Sequence, residues 1–146
     1  MKEINTQLAA ERAAKLFNSG WNCAESVFMA VYEQAGDGEA PVNLLTPLGG
    51  GLGCGKTCGA LTGAIVSLGL GYGRNQPDAT AKQRAYAKAR DIGRSFRESF
   101  HSTDCWELTD FEENEKKKKL ICTPMVCKAA ELASEMLNSR AREADE

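Results

Sequence analysis

The chain has 146 residues, enough for one folded domain, residues 1–146, with a hydrophobic core of its own. Its 18 basic against 20 acidic side chains leave a net charge of -2, so no global positive field draws nucleic acid or an anionic membrane surface. Hydrophobic residues at 42% and charged ones at 26% exclude wholesale disorder.

The amino-terminal run is broken by Glu11, Arg12 and Lys15 and lacks the apolar stretch of a secretory leader or membrane span, which points to a cytoplasmic protein. Between Thr6 and Phe17 the residues Leu8, Ala9, Ala13, Leu16 and Phe17 fall on one stripe, and Gly20 follows, predicting a first helix. Asn22 stands three residues before Glu25, the spacing of a capping box, so a second helix is expected to start at Cys23. Its inward stripe is Ala24, Val27, Phe28, Val31 and Ala35, and Gly36 ends it.

Residues 36–57 are rich in Gly and Pro and read as a loop with room for one helical turn around Leu44, Leu45 and Leu48. The apolar run from Cys58 to Tyr72 predicts a buried helix capped by Thr57, with Gly59 and Gly63 admitting another backbone closely. Asp78 caps a long helix stepping through Ala81, Ala85, Ala89, Ile92, Phe96 and Phe100 to near His101. Asp104 caps a short turn at Cys105, Lys116–Lys119 read as a charged linker, and Thr123 with Pro124 opens a last helix lined by Val126, Ala130, Ala133 and Leu137. The residues after Asn138 are polar enough to fray. The expected fold is all-α, a compact single-domain bundle of about five to six helices.

Six cysteines are the anomaly of this composition. In a reducing cytoplasm they read as metal ligands or redox thiols rather than structural bridges. Cys23, Cys58 and Cys105 each fall in the first turn of a predicted helix, and Cys122 lies just before the predicted cap Thr123. Helix starts present unpaired N–H groups and the positive end of the macrodipole, which favour thiolates. Several helix starts aimed at one centre suit a net-negative iron-sulfur cluster, and Gly59 and Gly63 stand as candidate cofactor-contacting positions. The spacings within this set, 35, 47 and 17 residues, are unlike compact C-x-x-C sites.

Cys58-Gly59-Ala60-Leu61-Thr62-Gly63, with Gly20-Trp21-Asn22-Cys23-Ala24 upstream and single cysteines downstream, resembles the small redox-active family named for its C-GCAxxG-C-C pattern. The resemblance implies four family cysteines at Cys23, Cys58, Cys105 and Cys122, with Cys127 competing for the last place. Cys54 is additional to that set. A related domain in split-Soret cytochromes is associated with an iron-sulfur centre, but this chain has no C-x-x-C-H haem-attachment motif.

Two functional classes follow. The first is electron transfer through a cluster held by Cys23, Cys58, Cys105 and Cys122, serving an unidentified redox partner. The second is thiol-disulfide exchange or redox sensing, with Cys58 and Cys23 as the candidate reactive thiols. Gly50–Thr57 also satisfies the P-loop pattern G-x-x-x-x-G-K-[ST], a rival that requires a strand in front and a helix behind. A metal-free interaction module is the remaining alternative. Trp21 and Trp106 are candidates to wall the site, lone His101 suits a structural helix end, and glycine-lined helix faces are compatible with a homodimer.

Overall fold

The computed structural model describes residues 2–144. Six α-helices follow one another: α1 (Thr6–Phe17), α2 (Cys23–Ala35), α3 (Gly59–Tyr72), α4 (Ala79–Phe100), α5 (Cys105–Thr109) and α6 (Glu115–Ala144). A 3-10 helix (Val42–Leu48) and a tight turn (Gly51–Gly55) join α2 to α3, so the helical elements slightly outnumber the five to six expected. The all-α class holds, with no strand among the described residues.

Four helix starts obey local capping chemistry. The side chains of Asn5, Asn22, Asp78 and Asp104 accept backbone N–H bonds from Leu8, Glu25, Ala81 and Glu107, each an N-cap of about 1 kcal/mol. The cap of α3 is Cys58 rather than Thr57, which is drawn off into a single antiparallel bridge with Asp104. Helix α6 packs on α1, α2 and α3, and α3 also packs on α2 and α4, which is why α3 is apolar nearly all round. Val27, Val31, Leu61, Ala64, Ile92, Phe96, Val126, Ala130, Ala133 and Leu137 form the buried interior. Leu8 departs from its predicted stripe and is 52% exposed, while Ala9, Ala13, Leu16 and Phe17 are buried as expected.

The carboxyl-terminal third differs most from expectation. The predicted linker at Lys116–Lys119 and the new helix at Thr123 are one continuous helix from Glu115 to Ala144. Pro124 removes the N–H that the Leu120 carbonyl would accept, a defect of about 3 kcal/mol in a helix interior. Packing on both sides outweighs it. Lys119 Nζ donates to the Phe17 carbonyl at 3.2 Å, Thr123 Oγ1 donates to the Lys119 carbonyl at 2.6 Å, and Met125 and Val126 are buried in the next turn.

The segment expected to fray is helical as far as Ala144, with residues 145 and 146 outside the described residues. Arg140 Nε donates to the Gly71 carbonyl at 3.1 Å. Among the described residues no helix is long and apolar enough to cross a membrane.

The rival P-loop reading lacks its strand in the structure, as the short Leu44–Leu48 patch broken by Pro47 implies. Residues 42–48 ahead of the glycines are a 3-10 helix with Pro47 inside it, and α3 begins only at Gly59, two residues after Thr57. Gly50, Gly51, Leu52 and Gly53 all carry positive φ, and Lys56 N–H donates to the Gly51 carbonyl at 2.8 Å, so the backbone curls on itself rather than around a phosphate.

The buried Asn138 side chain clamps the amino terminus: Ile4 N–H donates to its Oδ1 and its Nδ2 donates to the Ile4 carbonyl, both at 2.8 Å. Asn138→Ala strands both backbone groups and is expected to cost about 1–3 kcal/mol, read as a lower denaturation midpoint at unchanged helix content.

Candidate functional site

Two contacts between distant parts of the chain bring the cysteine-bearing helix starts together. The first is the bridge between Thr57 and Asp104. Cys58 N–H donates to the Thr103 carbonyl at 2.8 Å and Cys105 N–H donates to the Lys56 carbonyl at 2.6 Å, so the starts of α3 and α5 are stapled backbone to backbone.

The second is the α2–α3 contact. A Cβ at Gly59 would overlap Cys23 Sγ, and a Cβ at Gly63 would lie 2.6 Å from the Ala24 carbonyl oxygen. The two glycines of the CGAxxG element are therefore the surface on which the start of α2 rests. Asn22 and Glu25 complete this corner: they cap α2 reciprocally at 2.9 Å, Thr46 Oγ1 donates to Glu25 Oε2 at 2.6 Å, and Asn22 Nδ2 donates to the Thr46 carbonyl at 3.0 Å.

Cys23, Cys58, Cys105 and Cys122 all line one cavity of about 430 Å³. Cys23 and Cys105 are the first residues of their helices and Cys58 is the cap of α3. Cys122 is not at a helix start; it lies inside α6, on the face that turns Glu115, Lys118, Met125 and Val126 toward the same cavity. Cys127 is half-buried and does not line it, and Cys54 is exposed in the glycine-rich turn, its thiol donating to the Gly51 carbonyl at 3.6 Å. Gly59 borders the cavity, whereas Gly63 sits on the helix contact behind it.

Trp21 is in the cavity wall; Trp106 lies outside it, stacked over Gly55 and tilted against Phe111. His101 ends α4 in a left-handed conformation, φ 69°. Sequence reasoning missed Phe17, Leu108, Glu115, Lys118, Lys119, Met125 and Val126 as cavity residues. The signal for the α6 members is the three- and four-residue spacing from Glu115 through Cys122, which emerges once the helix is read through Pro124.

Electrostatics overturn one expectation. The helix starts do act on the thiols, but burial and the thiols' own crowding outweigh them. Burial, then the neighbouring charge of Cys23, pushes Cys58 up to about 12 against the pull of the Leu61 and Ala60 N–H groups. Cys122 is pushed up to about 11 by burial and by Cys23 and Cys105, with Lys118 acting the other way. Cys105 is raised by burial and by Cys23. Burial also raises Cys23, opposed by backbone N–H groups at Gly50, Ala24, Cys23 and Gly59. Cys23 thus contributes to the raised values of all three other thiols.

Among the described residues, no three His, Cys, Asp or Glu side chains converge tightly enough to hold a single metal ion. The donor set is nonetheless soft and uniform: four thiols on one cavity, N–H groups turned toward Cys23, and a lysine on the α6 wall.

Fold and site together define a helical protein organised around a shared four-cysteine cavity. The sequence model of the family described as "Putative redox-active protein (C_GCAxxG_C_C)" matches residues 21–136, and the chain belongs to that family. The matched span contains all six cysteines. No curated protein and no solved structure matches the chain.

The raised thiols set a pH dependence for protein stripped of metal by a chelator under reducing conditions. Above the ordinary thiol value of 9.0 the unfolded chain releases protons that folded Cys58 and Cys122 retain, so the folded state binds more protons. Stability is then complete below pH 9 and is lost as the pH rises toward about 12. Denaturant midpoints measured across this range are expected to fall with pH, and to fall less in Cys58→Ala.

Proposed function

We propose that the cavity holds an iron-sulfur cluster on Cys23, Cys58, Cys105 and Cys122, and that the protein transfers electrons through it. The observation that carries this reading is the meeting of four cysteines from four separate helices in one cavity, while the other two stay outside it. A cluster brings its own bridging sulfides and spans more space than a single ion, so its protein ligands need only line one cavity, as these four cysteines do. When bound, it supplies a reversible one-electron acceptor and donor.

The chain's own residues would perform the supporting work. N–H groups around Cys23 and the start of α3 donate toward ligand sulfur, and Phe17, Leu108, Met125 and Val126 limit water at the centre. Trp106 and Phe111, 50% and 65% exposed with ring centroids 5.7 Å apart, give a redox partner an apolar surface next to Cys105. A reducing compartment such as the cytoplasm keeps these thiols available for assembly.

Thiol-disulfide exchange led by Cys58 is less well supported. Cys58 is 6% exposed and its thiol is pushed up to about 12, the reverse of an accessible low-pKa nucleophile.

Anaerobic reconstitution with iron and sulfide tests the proposal. The wild-type chain is expected to take up iron and acid-labile sulfide with a visible charge-transfer band. Serine at Cys23, Cys58, Cys105 or Cys122 is expected to remove most of that uptake, and serine at Cys54 or Cys127 to leave it intact. Uptake that depends equally on all six cysteines, or a colourless metal-free wild type, contradicts it.

A further inference from the structure

The cavity wall contributed by α6 carries charge as well as a ligand candidate. Glu115, Lys118, Cys122 and Met125 follow at intervals of three and four, so Lys118 lies one turn before Cys122 on the face turned to the cavity. Its neighbours are committed elsewhere. Lys117 Nζ lies 3.8 Å from Glu112, and Lys119 Nζ donates to the Phe17 carbonyl at 3.2 Å while lying over the Phe17 ring. Among the described residues the Lys118 ammonium makes neither an ion pair nor a side-chain hydrogen bond.

Lys118 also lines a second, outer cleft of about 260 Å³, which it shares with Cys105 and with the exposed rings of Trp106 and Phe111. Lys118 and Cys105 thus form part of the partition between the cysteine cavity and the outer cleft.

An unpaired ammonium at this partition faces a site that would gather negative charge from four thiolates. Its charge acts on Cys105 and Cys122, the two cysteines it favours in their anionic form. Net charge near a cluster and solvent access to it are the protein's main controls on reduction potential. A positive charge favours whichever state carries one more electron.

We infer that Lys118 is a positioning residue for the centre's charge: its ammonium, held by α6 between the cysteine cavity and the outer cleft, stabilises the reduced state and raises the midpoint potential. The inference rests on the cavity holding a redox cluster, and the test separates the two. The electron in that test comes from an external reductant, dithionite, and adds to the cluster without breaking a bond to the chain.

Redox titration of the reconstituted full-length chain compares wild type, Lys118→Gln, Lys118→Arg and Lys117→Gln, with iron content measured on each. Lys118→Gln is expected to lower the reduced-to-oxidised ratio at fixed ambient potential about tenfold, equivalent to 59 mV for one electron. Lys118→Arg and Lys117→Gln are expected to stay within about twofold of wild type, since one keeps the charge and the other removes a solvent-screened one. Failure of Lys118→Gln, but not Lys118→Arg, to take up the cluster also overturns the inference, assigning the ammonium to assembly rather than to the potential. An unchanged potential in fully loaded Lys118→Gln overturns the inference, as does an equal shift in Lys117→Gln or loss of uptake in both Lys118 variants. A wild type that binds no iron overturns the cluster reading itself, and the Lys118 role with it.

Discussion

The contact between Cys23 Sγ and the bare backbone of Gly59 governs how the molecule is put together. With no side chain at Gly59 the start of α2 settles against the start of α3, and Gly63, one turn on, lets the Ala24 carbonyl approach the same helix. A Cβ at Gly63 would meet the Ala24 backbone and push the two helix starts apart, and one at Gly59 would displace the Cys23 thiol from its place beside α3. The cost would fall on the site before it fell on the core, because the interior is built farther along the helices, from Val27, Val31, Ala64 and Leu68. The bridge between Thr57 and Asp104 plays the same part for Cys105, joining by two backbone hydrogen bonds elements that lie 47 residues apart.

These contacts create an electrostatic conflict. Four thiols are crowded into a partly apolar cavity in which each ionisation opposes the next, and burial opposes all of them. Nearby N–H groups and Lys118 act in the other direction without prevailing. A protein shaped for thiolate nucleophilicity would expose one thiol and surround it with cations. This one gathers thiols in a pocket where a bound metal centre would supply the missing positive charge, since coordination deprotonates a thiol outright.

Most of the fold was legible in local chemistry. The Asn22–Glu25 capping box, the Asp78 and Asp104 caps and the three- and four-residue spacing through Ile92 and Phe96 predict helices that the structure contains. What was hidden depends on tertiary packing. Pro124 and the lysine run read as a helix break because the residues that hold the helix through them, Phe17 against Lys119 and the core against Val126, come from elsewhere in the chain. That same misreading concealed Glu115 and Lys118 as cavity residues and placed Cys122 at a helix start. The choice between Cys122 and Cys127 was likewise beyond local pattern: five residues apart on one helix, they face different surroundings, and only Cys122 reaches the cavity. The glycines of residues 50–55 look like a phosphate loop in sequence, because both uses require positive φ; the missing strand distinguishes them.

Anomalous scattering at the iron edge, from crystals grown anaerobically with reconstituted protein, tests the shared centre most directly. The account predicts one compact iron peak inside the cavity, with the sulfurs of Cys23, Cys58, Cys105 and Cys122 as its protein ligands and neither Cys54 nor Cys127 among them. Iron bound elsewhere, or a cavity free of iron with the four sulfurs turned apart, would contradict it.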